Sequence, residues 1–311
     1  MIENVYNIKI HNYLDEVKEP QVLCLGFFDC VHLGHAKLIN RAKQVAFING
    51  YLTSIFTFDN NPLKLFKDED LILTFKERCF VFEQLQLDYV YHATLDKVFA
   101  NTDRDTFLDN LLSNKNVKAI VVGQDYTYGK DRLGNINHLK KYCDKHNIKL
   151  YIESLLTIND EKLSSTYLRT QVEMGNLGEL NAMLVSPYLI MGKVQQGRGV
   201  GSKDLFPTAN ILMDNQKIKL KSGVYYTNVY IDGIRYRAAT NVGAKPTYDI
   251  NEYNIESYIL FYKKSLYDKD IVVEFIERMR DNKKFSSIDE LKAQIQKDIE
   301  YIQGQNGGYD D

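Results

Sequence analysis

No run of apolar residues in this 311-residue chain reaches the roughly 18 that a membrane-spanning helix needs. Nothing in the pattern therefore predicts a membrane protein. Cysteine is scarce: there are four, Cys24, Cys30, Cys79 and Cys143, and no CxxC pair. Thiols so scattered argue against a zinc ribbon or a disulfide framework and suit a reducing cytosol. Basic charge is not in excess either. A formal net charge of −2 removes the electrostatic footprint of a nucleic-acid binder. The opening stretch MIENVYNIKIHNYLDEV is mixed polar and acidic, unlike a secretory signal, so the expected compartment is the cytoplasm. There is no internal repeat and no low-complexity segment. What remains is an ordinary globular composition, 44% hydrophobic and 26% charged, over a length that predicts two domains.

The chain is organised around Leu23-Cys24-Leu25-Gly26-Phe27-Phe28-Asp29-Cys30-Val31-His32-Leu33-Gly34-His35. An apolar run, Val22–Phe28, reads as a buried parallel strand. It ends in a turn that feeds a helix with Leu38, Ala42, Val45 and Ala46 at helical spacing, stopping at Asn49-Gly50. His32 and His35 are three apart and share a helix face. A helix start offers unpaired N–H groups and a positive dipole end, which favour an anion. Gly34 has no side chain to hold a phosphate away. Two imidazoles there suit a polyphosphate and the charge that develops at phosphorus.

Strand and helix alternate through about the first 150 residues, the pattern of a doubly wound parallel sheet. Expected strands are Tyr51–Phe58, Tyr89–Ala93, Val117–Val122 and Ile148–Ile152; expected helices are Asp103–Leu112, Ile136–Lys145 and one opened by the capping box Thr74-x-x-Glu77. Two loops fall at strand carboxyl ends, where such sheets keep their ligands: Asp59-Asn60-Asn61-Pro62 and Gly123-Gln124-Asp125-Tyr126-Thr127-Tyr128-Gly129-Lys130-Asp131-Arg132-Leu133-Gly134. In Leu163-Ser164-Ser165-Thr166-Tyr167-Leu168-Arg169 the hydroxyls suit a helix cap, and Arg169, one turn in, can reach a phosphate at that end. A short helix, Leu177–Leu184, leads to Ser186-Pro187, the expected boundary between residues 1–186 and 187–303. Beyond it the pattern changes to Tyr/Val/Ile strands: Tyr188–Val194, Val224–Ile231, Tyr236–Val242, Ile255–Tyr262 and Ile271–Ile276. A second capping box, Ser287-x-x-Glu290, opens a helix to about Ile302. This predicts a small antiparallel β-barrel with a C-terminal helix, then a disordered tail at 304–311.

Taken together these stretches resemble the bacterial bifunctional riboflavin kinase/FMN adenylyltransferase (FAD synthetase) family over about residues 20–300. The matching pieces are GFFDCVHLGH, TFDNNP, GQDYTYGKDRLGN and LSSTYLR, then GKVQQGRGVGSKDLFPTAN, SGVYYTNV, NVGAKPT, IESYILFY and ERMRDNKKF. The resemblance implies phosphorylation of riboflavin to FMN and adenylylation of FMN to FAD, with ATP, Mg²⁺ and flavin as the small molecules and no nucleic acid or membrane partner. It also implies a monomer or weak homo-oligomer. It implies that His32, Gly34 and His35, with Gly26, Phe27 and Asp29, hold ATP and stabilise adenylyl transfer. It implies that Ser164, Ser165, Thr166 and Arg169 grip the phosphates, and that Asn61 and Asp125 lie on the flavin side. In the barrel it implies Gly192, Lys193, Gly197 and Arg198 for nucleotide, Thr208 and Asn210 for Mg²⁺ and phosphates, Glu256 as catalytic base, and Arg280 in a loop closing over flavin.

Three departures from the family pattern stand out. Cys30 replaces a usual Gly, at a cost of ~1 kcal/mol or more if that position needs φ > 0. Asn60-Asn61-Pro62 replaces Pro-His-Pro. Asp204-Leu205-Phe206-Pro207 replaces an apolar residue followed by Gly-Phe-Pro. The last leaves an alternative: adenylyl transfer alone, with a kinase-like barrel that binds flavin or serves assembly. A class I aminoacyl-tRNA synthetase also carries HxGH, but LSSTYLR lacks the lysines of its second signature and the chain is too short for an anticodon domain.

Overall fold

The computed structural model describes residues 8–158, 161–195, 208–244, 253–262 and 264–305. The chain packs as two compact units, Met1–Ser165 and Thr166–Asp311. The first holds a six-stranded sheet of β1 (Lys9–Asn12), β2 (Val17–Leu25), β3 (Leu52–Phe58), β4 (Tyr89–Ala93), β5 (Lys115–Gly123) and β6 (Lys149–Glu153). Across the sheet the order is β1-β4-β3-β2-β5-β6, with every pair parallel. From β2 the chain winds one way through β3 and β4, then crosses to the other side for β5 and β6. The order reverses between β2 and β5, and a crevice at that reversal is where parallel sheets hold ligands.

Helices α1 (Leu33–Asn49), α2 (Leu63–Phe66), α3 (Phe75–Gln84), α4 (Lys97–Ala100), α5 (Arg104–Leu112) and α6 (Ile136–Lys145) follow the strands, and a hairpin of β7 (Thr157–Ile158) with β8 (Glu161–Lys162) ends the unit. Leu23 and Leu25 join Phe56, Tyr91, Ile120 and Val122 in a core with Phe107 and Leu111 of α5 and Leu139 and Cys143 of α6. Val22 and Cys24 alternate to the opposite face, where Cys24 Sγ lies 3.7 Å from the Leu38 carbonyl of α1. Burial on both faces is why this run reads apolar throughout. Each aliphatic side chain so buried contributes about 1.5–3 kcal/mol. The strand stops at Leu25, short of the expected Phe28, and the turn begins at Gly26. Gly50 closes α1 in the left-handed region (φ 67°), its N–H donating to Ala46 O. The Thr74–Glu77 capping box forms in both directions.

The second unit begins with α7 (Ser165–Met174), which opens at the junction, and α8 (Leu177–Met183). Strands β9 (Leu189–Gln195), β10 (Thr208–Leu212), β11 (Gly223–Ile231), β12 (Ile234–Ala244), β13 (Tyr253–Ile259) and β14 (Asp270–Arg280) close into an antiparallel barrel in the order β10-β13-β12-β11-β14-β9. Five strands were expected; β10 is the sixth. Helix α8 packs on β14, and Asn181 Nδ2 donates to Phe275 O at 2.9 Å. The last helix, α9 (Ile288–Gly304), lays Ile299 and Ile302 against Tyr226 and Leu260. Its expected capping box forms only in part. Ser287 Oγ accepts from Glu290 N, but the Glu290 carboxylate accepts from Ser286 N–H and Oγ–H, one residue before the cap. Residues 306–311 of the expected tail, and the departure at Asp204–Pro207, lie outside the described residues.

Candidate active sites

The turn after β2 is tightly specified. A Cβ on Gly26 would come within 2.8 Å of the Phe28 ring. The positive φ values fall on Phe28 (57°) and Val31 (46°), and not on Cys30. The strain expected at Cys30 is therefore absent; a β-branched residue, Val31, carries it instead. Asp29 is buried, its Oδ1 accepting from Ile72 N at 3.1 Å. Arg78 of α3, fully buried, donates to Phe27 O, Thr57 Oγ1 and Phe58 O, so one guanidinium ties this turn to the end of β3.

His32 is the N-cap of α1, and its Nδ1 accepts from His35 N at 3.2 Å. In neutral His32 the proton is therefore on Nε2, which is a donor. The His32 and His35 rings stack at 3.7 Å between centroids and 6° between planes. A Cβ on Gly34 would lie 2.9 Å from His32 Cε1, so glycine at this position is what lets the ring lie there. His35 is held neutral: burial, then the neighbouring His32 charge, lower its pKa well below 6.5. Ser165 Oγ, at the end of the first unit, lies 3.7 Å from Cys30 Sγ of this turn. Ser164 immediately precedes α7, Thr166 is exposed in its first turn, and Arg169 is buried one turn further in.

In the barrel, Thr208 and Asn210 on β10 face the same way as Glu256 on β13, which pairs with Asn210. Thr208 Oγ1 donates to Glu256 Oε1 at 2.6 Å, and Asn254 Nδ2 donates to Asn210 Oδ1 at 3.1 Å. Ala209, Ile211, Ile255 and Ser257, the alternate residues, are buried inside the barrel, so the polar set lies on its outer face. Gly192 and Lys193 are on β9, where a Cβ on Gly192 would meet Ile211 Cβ at 3.2 Å. Gly197 and Arg198 lie outside the described residues.

The sequence model of the FAD synthetase family matches residues 14–167, and that of riboflavin kinase matches residues 184–305. A Bacillus subtilis protein named bifunctional riboflavin kinase/FMN adenylyltransferase is 33% identical over 295 residues, 93% of each chain. The chain belongs to the bifunctional riboflavin kinase/FMN adenylyltransferase family. The Escherichia coli protein of the same name is 29% identical, with 93% of this chain and 94% of that one covered. A Streptococcus pneumoniae crystal structure described as a macrolide-efflux protein superposes with a TM-score of 0.82 at 28% identity, covering 96% of this chain and all of that one. Among the described residues no helix is long and apolar enough to cross a membrane. With both family domains matched in series, the chain is a bifunctional transferase of FAD biosynthesis; adenylyl transfer alone is not the favoured reading.

The residues expected on the flavin side belong to different elements. Asn61 is buried after β3, where Nδ2 donates to Glu69 O and Oδ1 accepts from Leu63 N. Asp125 is exposed just beyond β5. Its loop is braced by Tyr128 Oη, 2.8 Å from His138 Nδ1, with His138 Nε2 3.1 Å from Asp105. Arg280 is not in a loop: it ends β14, and its guanidinium meets Asp298 of α9 through Nε at 3.0 Å and Nη2 at 2.6 Å. The sequence reading missed Arg78 and Asn254. Asn254 had a signal, since Asn-x-Glu in a strand puts both residues on one face; Arg78, inside an amphipathic helix, had none.

Proposed function

We propose that the stacked pair His32 and His35, at the start of α1 beside the sheet reversal, is the adenylyl-transfer centre. This observation carries the reading, because it supplies a side-chain donor at a helix N-terminus that already favours phosphate. An FMN phosphate oxygen attacks the α-phosphorus of ATP in line, a P–O bond forms, and the bond to pyrophosphate breaks. His32 Nε2–H donates to the phosphate oxygens, while neutral His35 keeps the paired ring in place without adding a second charge. Gly26, Phe27, Asp29 and Gly34 shape the turn; Ser164, Ser165, Thr166 and Arg169 hold phosphates; Asn61 and Asp125 lie on the flavin side. Replacing His32 by Ala should lower FAD formation from FMN about 10²–10³-fold, the range for losing one preorganised donor. Chromatography of the flavin products reads this directly, and unchanged rates in both His32→Ala and His35→Ala exclude the pair from the mechanism.

For the kinase step, Glu256 takes the proton of the riboflavin ribityl hydroxyl as that oxygen attacks the γ-phosphorus of ATP. Thr208 and Asn210 present hydroxyl and amide oxygens on the same face as this carboxylate, a donor set that fits a hard cation. They would hold Mg²⁺, which neutralises phosphate charge when bound. Gly192, Lys193, Gly197 and Arg198 complete the phosphate side, and Arg280 the flavin side. Glu256→Ala should abolish FMN formation from riboflavin while FAD formation from supplied FMN persists. Equal loss of both activities would point to unfolding instead. No disulfide joins the described cysteines, in keeping with a cytoplasmic protein, and we take it to act as a monomer or weak homo-oligomer.

A further inference from the structure

We propose that Cys30, His32 and His35 form a binding site for a borderline-soft divalent metal, of which Zn²⁺ is the type, and that filling it switches adenylyl transfer off. The Cys30 sulfur and one ring nitrogen from each histidine lie within 4.8 Å of one another. Tetrahedral zinc with one sulfur at ~2.3 Å and nitrogens at ~2.0–2.1 Å needs donors about 3.5 Å apart and lies in the plane of each ring it binds, so one imidazole must swing out of the stack to close the set. A second observation points the same way: His35 Nδ1 is buried and has no hydrogen-bond partner among the described residues. A buried ring nitrogen left in that state costs free energy until something accepts it. The donor set itself selects the metal. Thiolate and imidazole suit zinc, cobalt and copper, whereas Mg²⁺ takes oxygen, so the ion that serves ATP does not compete here.

Binding is written with its protons. The Cys30 thiol loses H⁺ to solvent as its S–metal bond forms. A neutral imidazole has one lone pair, and in His32 the His35 N–H holds it; the metal displaces that hydrogen bond. Three protein ligands leave a fourth position open, the arrangement that accepts a water or a phosphate oxygen. Loss of function follows from the proposed role of the histidines, and to that extent this inference rests on it: a His32 ring bound through Nδ1 keeps its Nε2–H but is turned toward Cys30, so that donor no longer meets the nucleotide. Three other thiols do not compete, since burial pushes Cys24, Cys79 and Cys143 up to about 12.

The test uses the full chain and a readout that does not depend on catalysis. Without ATP, Co²⁺ should give one equivalent of binding and a near-ultraviolet thiolate-to-metal band in the wild type, absent in Cys30→Ser. Competition against a chromophoric chelator should show Zn²⁺ affinity falling at least tenfold in Cys30→Ser and in Cys30→Gly. At saturating Mg²⁺, micromolar Zn²⁺ should stop FAD formation in the wild type and spare both variants, whose activity without zinc stays within about twofold. No thiolate band, or equal zinc affinity in all three proteins, overturns the site. A zinc-sensitive band with no effect on FAD formation overturns the switch and, separately, the role given to the histidines.

Discussion

At the scale of single residues, the turn between β2 and α1 depends on who carries strain and who carries charge. His35 enters the fold neutral, with its pKa depressed by burial and by His32. Once unfolded it titrates near 6.5. Between its folded and unfolded pKa values the unfolded chain binds more protons, so stability is fully present above ~6.5 and falls as pH drops below it, by up to ~1.4 kcal/mol per pH unit. His35→Gln should flatten that part of the stability curve, read as the urea midpoint at pH 7 and pH 5.5. A slope unchanged by the substitution would mean that His35 titrates normally in the folded chain. The pair itself was legible in HxGH, because a buried strand precedes it and a glycine separates the rings. What sequence could not tell was which residue of the turn bears positive φ. That depends on how Phe28 folds back over Gly26 and how Arg78 pulls on Phe27 O, both long-range facts.

At the scale of elements, β14 and α9 are joined by one charged fork. Asp298 is 5% exposed, accepts from both Arg280 nitrogens and also takes Gln294 Nε2 at 3.0 Å. Asp298→Ala should destabilise the barrel by about 1–3 kcal/mol, since it leaves a partly buried guanidinium without its bidentate partner. The measurement is the denaturant midpoint of the full chain, with the riboflavin KM followed beside it. If KM rises while the midpoint stays put, Arg280 serves flavin more than it serves the helix. The helix Ile136–Lys145 and the short strand Tyr89–Ala93 could both be read to the residue. Two other short strands could not. In β1 four residues, Lys9–Asn12, alternate too briefly to signal, and β10 is defined by its pairing with β13 and β9, a contact between segments far apart in sequence.

At the scale of the whole molecule, composition and packing divide the chain at different places. Tyr/Val strands begin after Ser186-Pro187, while α7 and α8 pack within the unit that follows Ser165. We propose residues 1–186 as the adenylyltransferase domain and 187–303 as the kinase domain. A fragment of residues 1–186 keeps Ser165, Thr166 and Arg169 and should retain FAD formation; a fragment of residues 1–165 should lose at least tenfold. Because 1–186 bares Leu177 and Leu180, buried in the full chain, it should also be less soluble. Equal activity of the two fragments would remove α7 from the nucleotide site. The two-unit order was readable because βα alternation and Tyr/Val strands are different periodicities, whereas helices packing across a composition change leave no mark in it.

The way the strands end has a consequence for behaviour at high concentration. A closed barrel has no unpaired strand edge, and the parallel sheet ends on one side in a four-residue strand carrying Lys9 and His11. Short and charged edges make poor templates for a second chain. Ordered fibril growth by strand addition thus has little to start from among the described residues. Crowded copies would instead meet through isolated greasy points such as Phe47 and Ile48, 90% and 79% exposed near the end of α1. Clustering of that kind is loose and reverses on dilution.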